Sequence, residues 1–221
     1  MSVFSPVGDL FEWVFSGFQS AWDKALIYFR GKNLAILGAR GVGKTHLIHF
    51  LSRGEIPTEY KQTVAPEKYS GRRFKLENLD LKIKSNLDVP GGQAAYAEWK
   101  NLCSEADIIF YLFRADMLLV RDEKCEERVR SDLRHLNTWR KNEKEPRQIF
   151  LVGTHCDKDP NYSAYSLRFG DYVDKFHELP IVAELIGHAG GGRGVKVVLG
   201  SMKSLDDTQA LVLQIFKQAV T

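Results

Sequence analysis

Hydrophobic and polar positions alternate along this chain in two distinct periods. In the first thirty residues Phe11, Phe15, Phe18, Trp22, Ala25 or Leu26, and Phe29 recur every three or four positions, which predicts one apolar face of a helix. From Asn33 onward, short apolar runs alternate with polar stretches of helix length. Leu34–Leu37 reads as a buried strand ending at Gly38, and Thr45–Arg53 as the helix after it. Arg72–Leu76 and Leu79–Leu87 predict two further strands, the second with Leu81, Ile83 and Leu87 at period two. Ala106–Phe113 is almost continuously apolar, as a strand covered on both faces must be. Asp122–Lys141 is charged around Val129, Leu133, Leu136 and Trp139, an amphipathic helix with a solvated outer face. Ile149–Val152 and Val195–Leu199 read as strands, Phe169–Ile186 as helix broken at Pro180, and Leu205–Ala219 as a closing helix. Strands alternating with helices predict an α/β fold, a three-layer αβα sandwich around a mostly parallel sheet.

Composition narrows the class without naming it. With 221 residues and 44% hydrophobic content the chain can bury a core unaided by disulfides or metal. The expected division is an amphipathic helix over 1–31 and a single domain over 32–221. Thirty-one Lys plus Arg against 28 Asp plus Glu leaves +3, too small a bias to expect a nucleic-acid partner. Cys103, Cys125 and Cys156 form no CxxC pair and no zinc spacing, which suits a reducing, cytoplasmic compartment. No apolar run reaches the ~18 residues that would span a bilayer. Met1-Ser2-Val3 lacks a basic n-region and a Gly at position 2, and the last four residues hold no cysteine, which argues against secretion, myristoylation and prenylation. Asp9, Glu12 and Asp23 outnumber Lys24 and Arg30 on the first helix, so residues 1–30 are expected to dock on protein, with peripheral membrane contact the second reading.

The chemistry begins at Gly38-Ala39-Arg40-Gly41-Val42-Gly43-Lys44-Thr45, which fits GxxxxGK[ST] between a strand and a helix. Glycines there let backbone N–H groups turn toward phosphate oxygens, the helix N-terminus adds positive potential, and the Lys44 ammonium neutralises charge. Thr45 offers a hydroxyl to Mg²⁺. Three further segments stand at or near strand ends. Asp88-Val89-Pro90-Gly91 supplies a carboxylate for Mg²⁺ and a Gly91 N–H for a γ-phosphate. Thr154-His155-Cys156-Asp157 carries Asp157, able to accept from guanine N1–H and N2–H₂; Cys156 beside it is a candidate nucleotide contact. Gly200-Ser201-Met202-Lys203 offers a backbone N–H to guanine O6. Ligands in open α/β sheets bind at the carboxyl ends of strands, where all four segments are expected. His46 and His49, on the helix after the phosphate loop, lack the ligands a metal site needs and read as packing or surface residues, with His46 at the edge of the nucleotide site. The Gly190–Gly194 stretch precedes a strand and reads as a loop.

Together these segments resemble the Ras-like and ADP-ribosylation-factor-like small GTPases over residues 32–221. The resemblance implies a guanine-nucleotide switch that binds GTP or GDP with Mg²⁺ and signals to an effector or regulatory protein. It implies Thr63, with Thr58 as the spare, as the threonine that joins Thr45 and Asp88 at Mg²⁺. It implies Gln93 as the water-orienting glutamine, assisted by Lys44, Thr63 and Arg40. Three departures stand out, the first bearing on affinity and the other two on rate. His155 stands where the family has a lysine, Gly92 directly follows the DxxG glycine, and Pro90 reads as an insertion. Slow GTP hydrolysis is therefore the expectation. A nucleotide-bound scaffold with negligible hydrolysis, favoured by Gly92 and Arg40, is the alternative, and an ATP-using phosphotransferase a third reading.

Overall fold

A computed structural model describes residues 27–53, 96–140, 147–162, 169–191 and 194–220, together with the backbone of 73–76 and 79–83. Residues 1–26 of the helix predicted over 1–31, and Thr58, Thr63, Asp88, Pro90, Gly91, Gly92 and Gln93, lie outside the described residues.

Among the described residues six strands make one sheet in the order β2-β3-β1-β4-β5-β6: β1 (Asn33–Gly38), β2 (Arg73–Leu76), β3 (Leu79–Ile83), β4 (Ile108–Arg114), β5 (Gln148–Thr154) and β6 (Val195–Leu199). Five run parallel, and β2 is an antiparallel edge strand on β3. The helices are α1 (Lys44–Arg53), α2 (Tyr96–Glu105), α3 (Ala115–Leu119), α4 (Glu123–Arg140), α5 (Phe169–His177), α6 (Pro180–His188) and α7 (Leu205–Ala219). None of them is long and apolar enough to cross a membrane, among the described residues.

The apolar strands explain the three layers, since neighbouring residues face opposite sides of a strand. Ala35, Leu37, Ile109, Tyr111, Phe113, Ile149 and Leu151 belong to a core shared with Leu133 and Leu136 of α4, Phe176 of α5 and Leu185 of α6. Leu34, Ile36, Ile108, Phe110, Leu112, Phe150 and Val152 face the other core, with Leu47 and Leu51 of α1 and Leu211, Ile215 and Phe216 of α7. Pro180 opens α6 at its first turn, where its missing N–H costs nothing. Residues 27–29 are helical, and Phe29 is fully buried against Phe110 and Phe216. This last position of the predicted apolar face thus packs on the domain itself.

Three observations amend the sequence pattern. The helix α2 is not anticipated by it, although Tyr96, Trp99 and Cys103 keep helical spacing and Trp99 and Cys103 are buried. Strands β4 and β5 each run to a polar residue, Arg114 and Thr154, beyond their apolar runs. The charged face of α4 is also not wholly solvated: Asp132 is 0% exposed. Its carboxylate accepts from Tyr96 Oη at 2.7 Å, from Tyr111 Oη at 2.8 Å and from Arg128 Nε at 2.9 and 3.0 Å.

The sheet register aims the site. Gly38 pairs with Leu112, Arg114 with Thr154, and Gly153 with Leu199. The loops leaving β1, β4, β5 and β6 therefore emerge along one edge. Strand β1 lies between β3 and β4, so the chain crosses to either side of it, and such a switch point opens a crevice for ligands.

Candidate functional site

The phosphate loop Gly38–Thr45 leaves β1 and enters α1, whose first intrahelical bond runs from Leu47 N to Gly43 O at 3.0 Å. Two of its glycines are there for steric reasons. Gly38 has φ +140°, and a Cβ on it would stand 2.3 Å from Leu112 O of the neighbouring strand. Gly43 has φ +92°, and its Cβ would stand 2.2 Å from Met202 Cε. Both positive φ values favour glycine, and at Gly38 the clash is with a backbone oxygen that has no flexible side chain to move.

Lys44 is 4% exposed, a position a cation holds only when paired. Its Nζ donates to Gly38 O at 3.0 Å and to Ala39 O at 2.8 Å. The ammonium is thus drawn back over its own loop. Val42 is buried beneath the loop, whereas Arg40 and Gly41 are exposed on it. No acidic residue stands in the first turn of α1, so the positive end of that helix is not neutralised from within. Thr45 and His46 occupy this first turn, both part-buried.

The second wall comes from the loop after β5. Thr154 is fully buried and its Oγ1 lies 3.0 Å from Val42 O and 3.0 Å from Phe113 O, clamping this loop to the phosphate loop. His155 follows with φ +60° and lines the cavity. Burial pushes its imidazole below the ordinary histidine value; Arg114 adds to that, and Asp116 and Asp157 oppose it. Asp157 Oδ1 accepts from Ser201 Oγ at 2.7 Å, and Ser201 Oγ in turn accepts from Lys203 N at 3.0 Å. Backbone bonds from Cys156 N to Gly200 O (3.2 Å) and from Gly200 N to Gly153 O (2.9 Å) fasten the β5 and β6 loops together.

These parts enclose one cavity of about 150 Å³, lined by Gly43, His46, His155, Asp157, Met202 and Lys203. The structure therefore brings together the phosphate loop, the Thr154–Asp157 segment and the Ser201–Lys203 segment, which are far apart in sequence. Cys156 is a correction. It is fully buried, its Sγ–H reaches Gly153 O at 3.8 Å, and burial pushes its thiol up to about 12. It supports the loop from behind and is not placed to touch a ligand.

Two groups at this edge were not foreshadowed in the sequence. Arg114, last residue of β4, donates from Nε to Asp116 Oδ1 at 2.7 Å and from Nη2 to Asp116 Oδ2. Their charges act on His155. An arginine ending an apolar run and an aspartate opening a short helix are the only local signals for this pair, and neither says where the pair sits.

Comparison with known proteins agrees with this architecture. The model of the Ras family matches residues 33–167, more than half of the chain. Among solved structures, an ADP-ribosylation-factor-like GTP-binding protein, the small COPII coat GTPase SAR1 from Encephalitozoon cuniculi, is similar in fold with a TM-score of 0.55. At 13% identity the likeness covers 97% of this chain and 90% of that one, which was solved in complex with GDP. The phosphate loop, the switch-point crevice and the family match converge: the chain belongs to the Ras family.

Proposed function

We propose that this protein is a guanine-nucleotide switch, binding GTP and GDP with Mg²⁺ and hydrolysing GTP slowly to control a protein partner. The observation that carries this reading is the position of Asp157. It is held by Ser201 at 2.7 Å and shares one cavity with Gly43 of the phosphate loop. A carboxylate so placed accepts from both N1–H and N2–H₂ of guanine, whereas adenine offers no such donor pair. Backbone N–H groups of Gly41–Thr45 and the α1 N-terminus face the phosphates, and Lys44 neutralises their charge.

Hard oxygen donors suit Mg²⁺, and this chain supplies Thr45 in α1 with Thr63 and Asp88 from the residues not described. When bound, that ion would neutralise charge on the phosphates. Gly91 N–H is the donor for the γ-phosphate. Gly92 has no side chain with which to orient water, and Gln93 takes that role only from one position further along. Arg40, exposed on the phosphate loop, is the remaining candidate to meet the γ-phosphate. Turnover at or below about 10⁻⁴ s⁻¹, the intrinsic level of the Ras case, follows from that arrangement. The partner is an effector or regulatory protein, and residues 1–30 dock on protein ahead of membrane.

Competition of GTP and ATP against a fluorescent GDP tests the reading, repeated with Asp157→Asn. GTP is expected to displace the probe and ATP not to. The variant, offering a donor where guanine also donates, is expected to move its preference toward xanthosine triphosphate, whose O2 accepts. Equal competition by ATP, or unchanged guanine preference in the variant, refutes it.

A further inference from the structure

His155 sits in the bend between β5 and the short 3₁₀ turn Cys156–Lys158. Its Nδ1 lies 2.9 Å from Thr154 Oγ1, and that same oxygen lies 3.0 Å from two carbonyl oxygens, of Val42 and Phe113. A carbonyl only accepts, and a hydroxyl has a single proton to give. Were Nδ1 to take that proton, two carbonyl oxygens would face Oγ1 with no hydrogen between them. The hydroxyl proton therefore goes to a carbonyl, and Nδ1–H donates to Oγ1. The neutral ring then carries its lone pair on Nε2, and a proton arriving there turns an acceptor into a cationic donor.

The charges around the ring come from three sides. Arg114 and Asp116 flank it from β4 and α3, paired with each other so that their opposite charges largely offset. Asp157 and Lys158 stand on its own turn. His46 of α1 and Lys203 of the loop after β6 share the cavity. Burial outweighs these and favours the neutral ring.

We propose that His155 is a proton-linked binding residue, whose Nε2 takes up a proton when a guanine nucleotide enters the cavity. The proposal rests on the guanine-nucleotide reading above. A nucleoside diphosphate brings at least two negative charges into a partly desolvated crevice, so the cationic ring is stabilised in the complex and not in the free protein. By linkage, a group that binds its proton more tightly in the complex makes affinity rise as pH falls. A lysine at this position is cationic at every physiological pH and confers no such dependence.

The test is the affinity of the full chain for fluorescent GDP at pH 6, 7 and 8, for the protein, His155→Lys and His155→Gln. The terminal phosphate of GDP itself titrates near 6, and His46 is present in all three proteins. Both contributions therefore cancel in the comparison. The protein is expected to gain about three- to tenfold in affinity from pH 8 to pH 6 beyond whatever both variants gain. Calorimetry in two buffers of different ionisation enthalpy is expected to show fractional proton uptake that both variants lack. Equal pH slopes in all three proteins overturn the proton-linked role while leaving the nucleotide reading standing. Absence of GDP binding at every pH overturns both.

Discussion

Replacing Gly43 by alanine tests the joint between the phosphate loop and the loop after β6. At φ +92° an L-residue carries strain on the order of 1–2 kcal/mol. The new methyl would also stand 2.2 Å from Met202 Cε and 3.7 Å from its Sδ, and the nearer contact is impossible without movement. The clashing atom is the end of a flexible side chain, so Met202 rotates away, leaving its preferred rotamer and the core beneath it at roughly 1 kcal/mol. Met202 is 9% exposed and packs in the same core as Val42 and Leu211, so this displacement has a cost. The expected total is about 2–3 kcal/mol of stability. Urea unfolding of the parent, Gly43→Ala, Met202→Ala and the double variant separates the two parts, provided the denaturant slope stays constant. The strain persists in the Met202→Ala background and the clash does not, so a coupling of about 1 kcal/mol is expected. Coupling near zero would mean that Met202 does not press on Gly43. A single variant as stable as the parent would mean that the positive φ is not enforced.

Three further outcomes follow from buried charges and the groups that hold them. Lys44→Ala removes the ammonium held by Gly38 O and Ala39 O, and fluorescent-nucleotide titration is expected to show at least a tenfold loss of affinity, about 1.4 kcal/mol. Unchanged affinity sinks the phosphate-loop assignment. Asp132→Ala takes the acceptor from Tyr96, Tyr111 and Arg128 in a fully buried place, and urea melts are expected to show a loss of about 3–5 kcal/mol. Tyr111→Phe removes one donor only and is expected to cost about 1 kcal/mol. An Asp132→Ala protein within 1 kcal/mol of the parent refutes the anchoring role, a threshold set by the usual effect of a point substitution.

The local pattern by itself determined the αβα class, because continuously apolar runs such as Ile108–Phe113, alternating with helix-length stretches, need cover on both faces. It also determined the phosphate loop, since GxxxxGK[ST] between a strand and a helix is a local conformational demand. The face of α4 was legible at Val129, Leu133 and Leu136 for the same reason. What lay beyond it depends on partners distant in the chain. Thr154 reads as one polar residue after a strand until the register sets it against Val42 and Phe113. Asp132 reads as part of a solvated charged face until Tyr96 and Tyr111 close over it. Cys156 reads as a neighbour of the ligand, yet the 3₁₀ turn directs its thiol inward to 0% exposure. Nothing in residues 114–116 announces that Arg114 and Asp116 will stand beside His155. Periodicity records which side of an element is buried. Which elements lie next to one another, and at what register, is decided by packing across the sheet, and in this protein that packing makes the site.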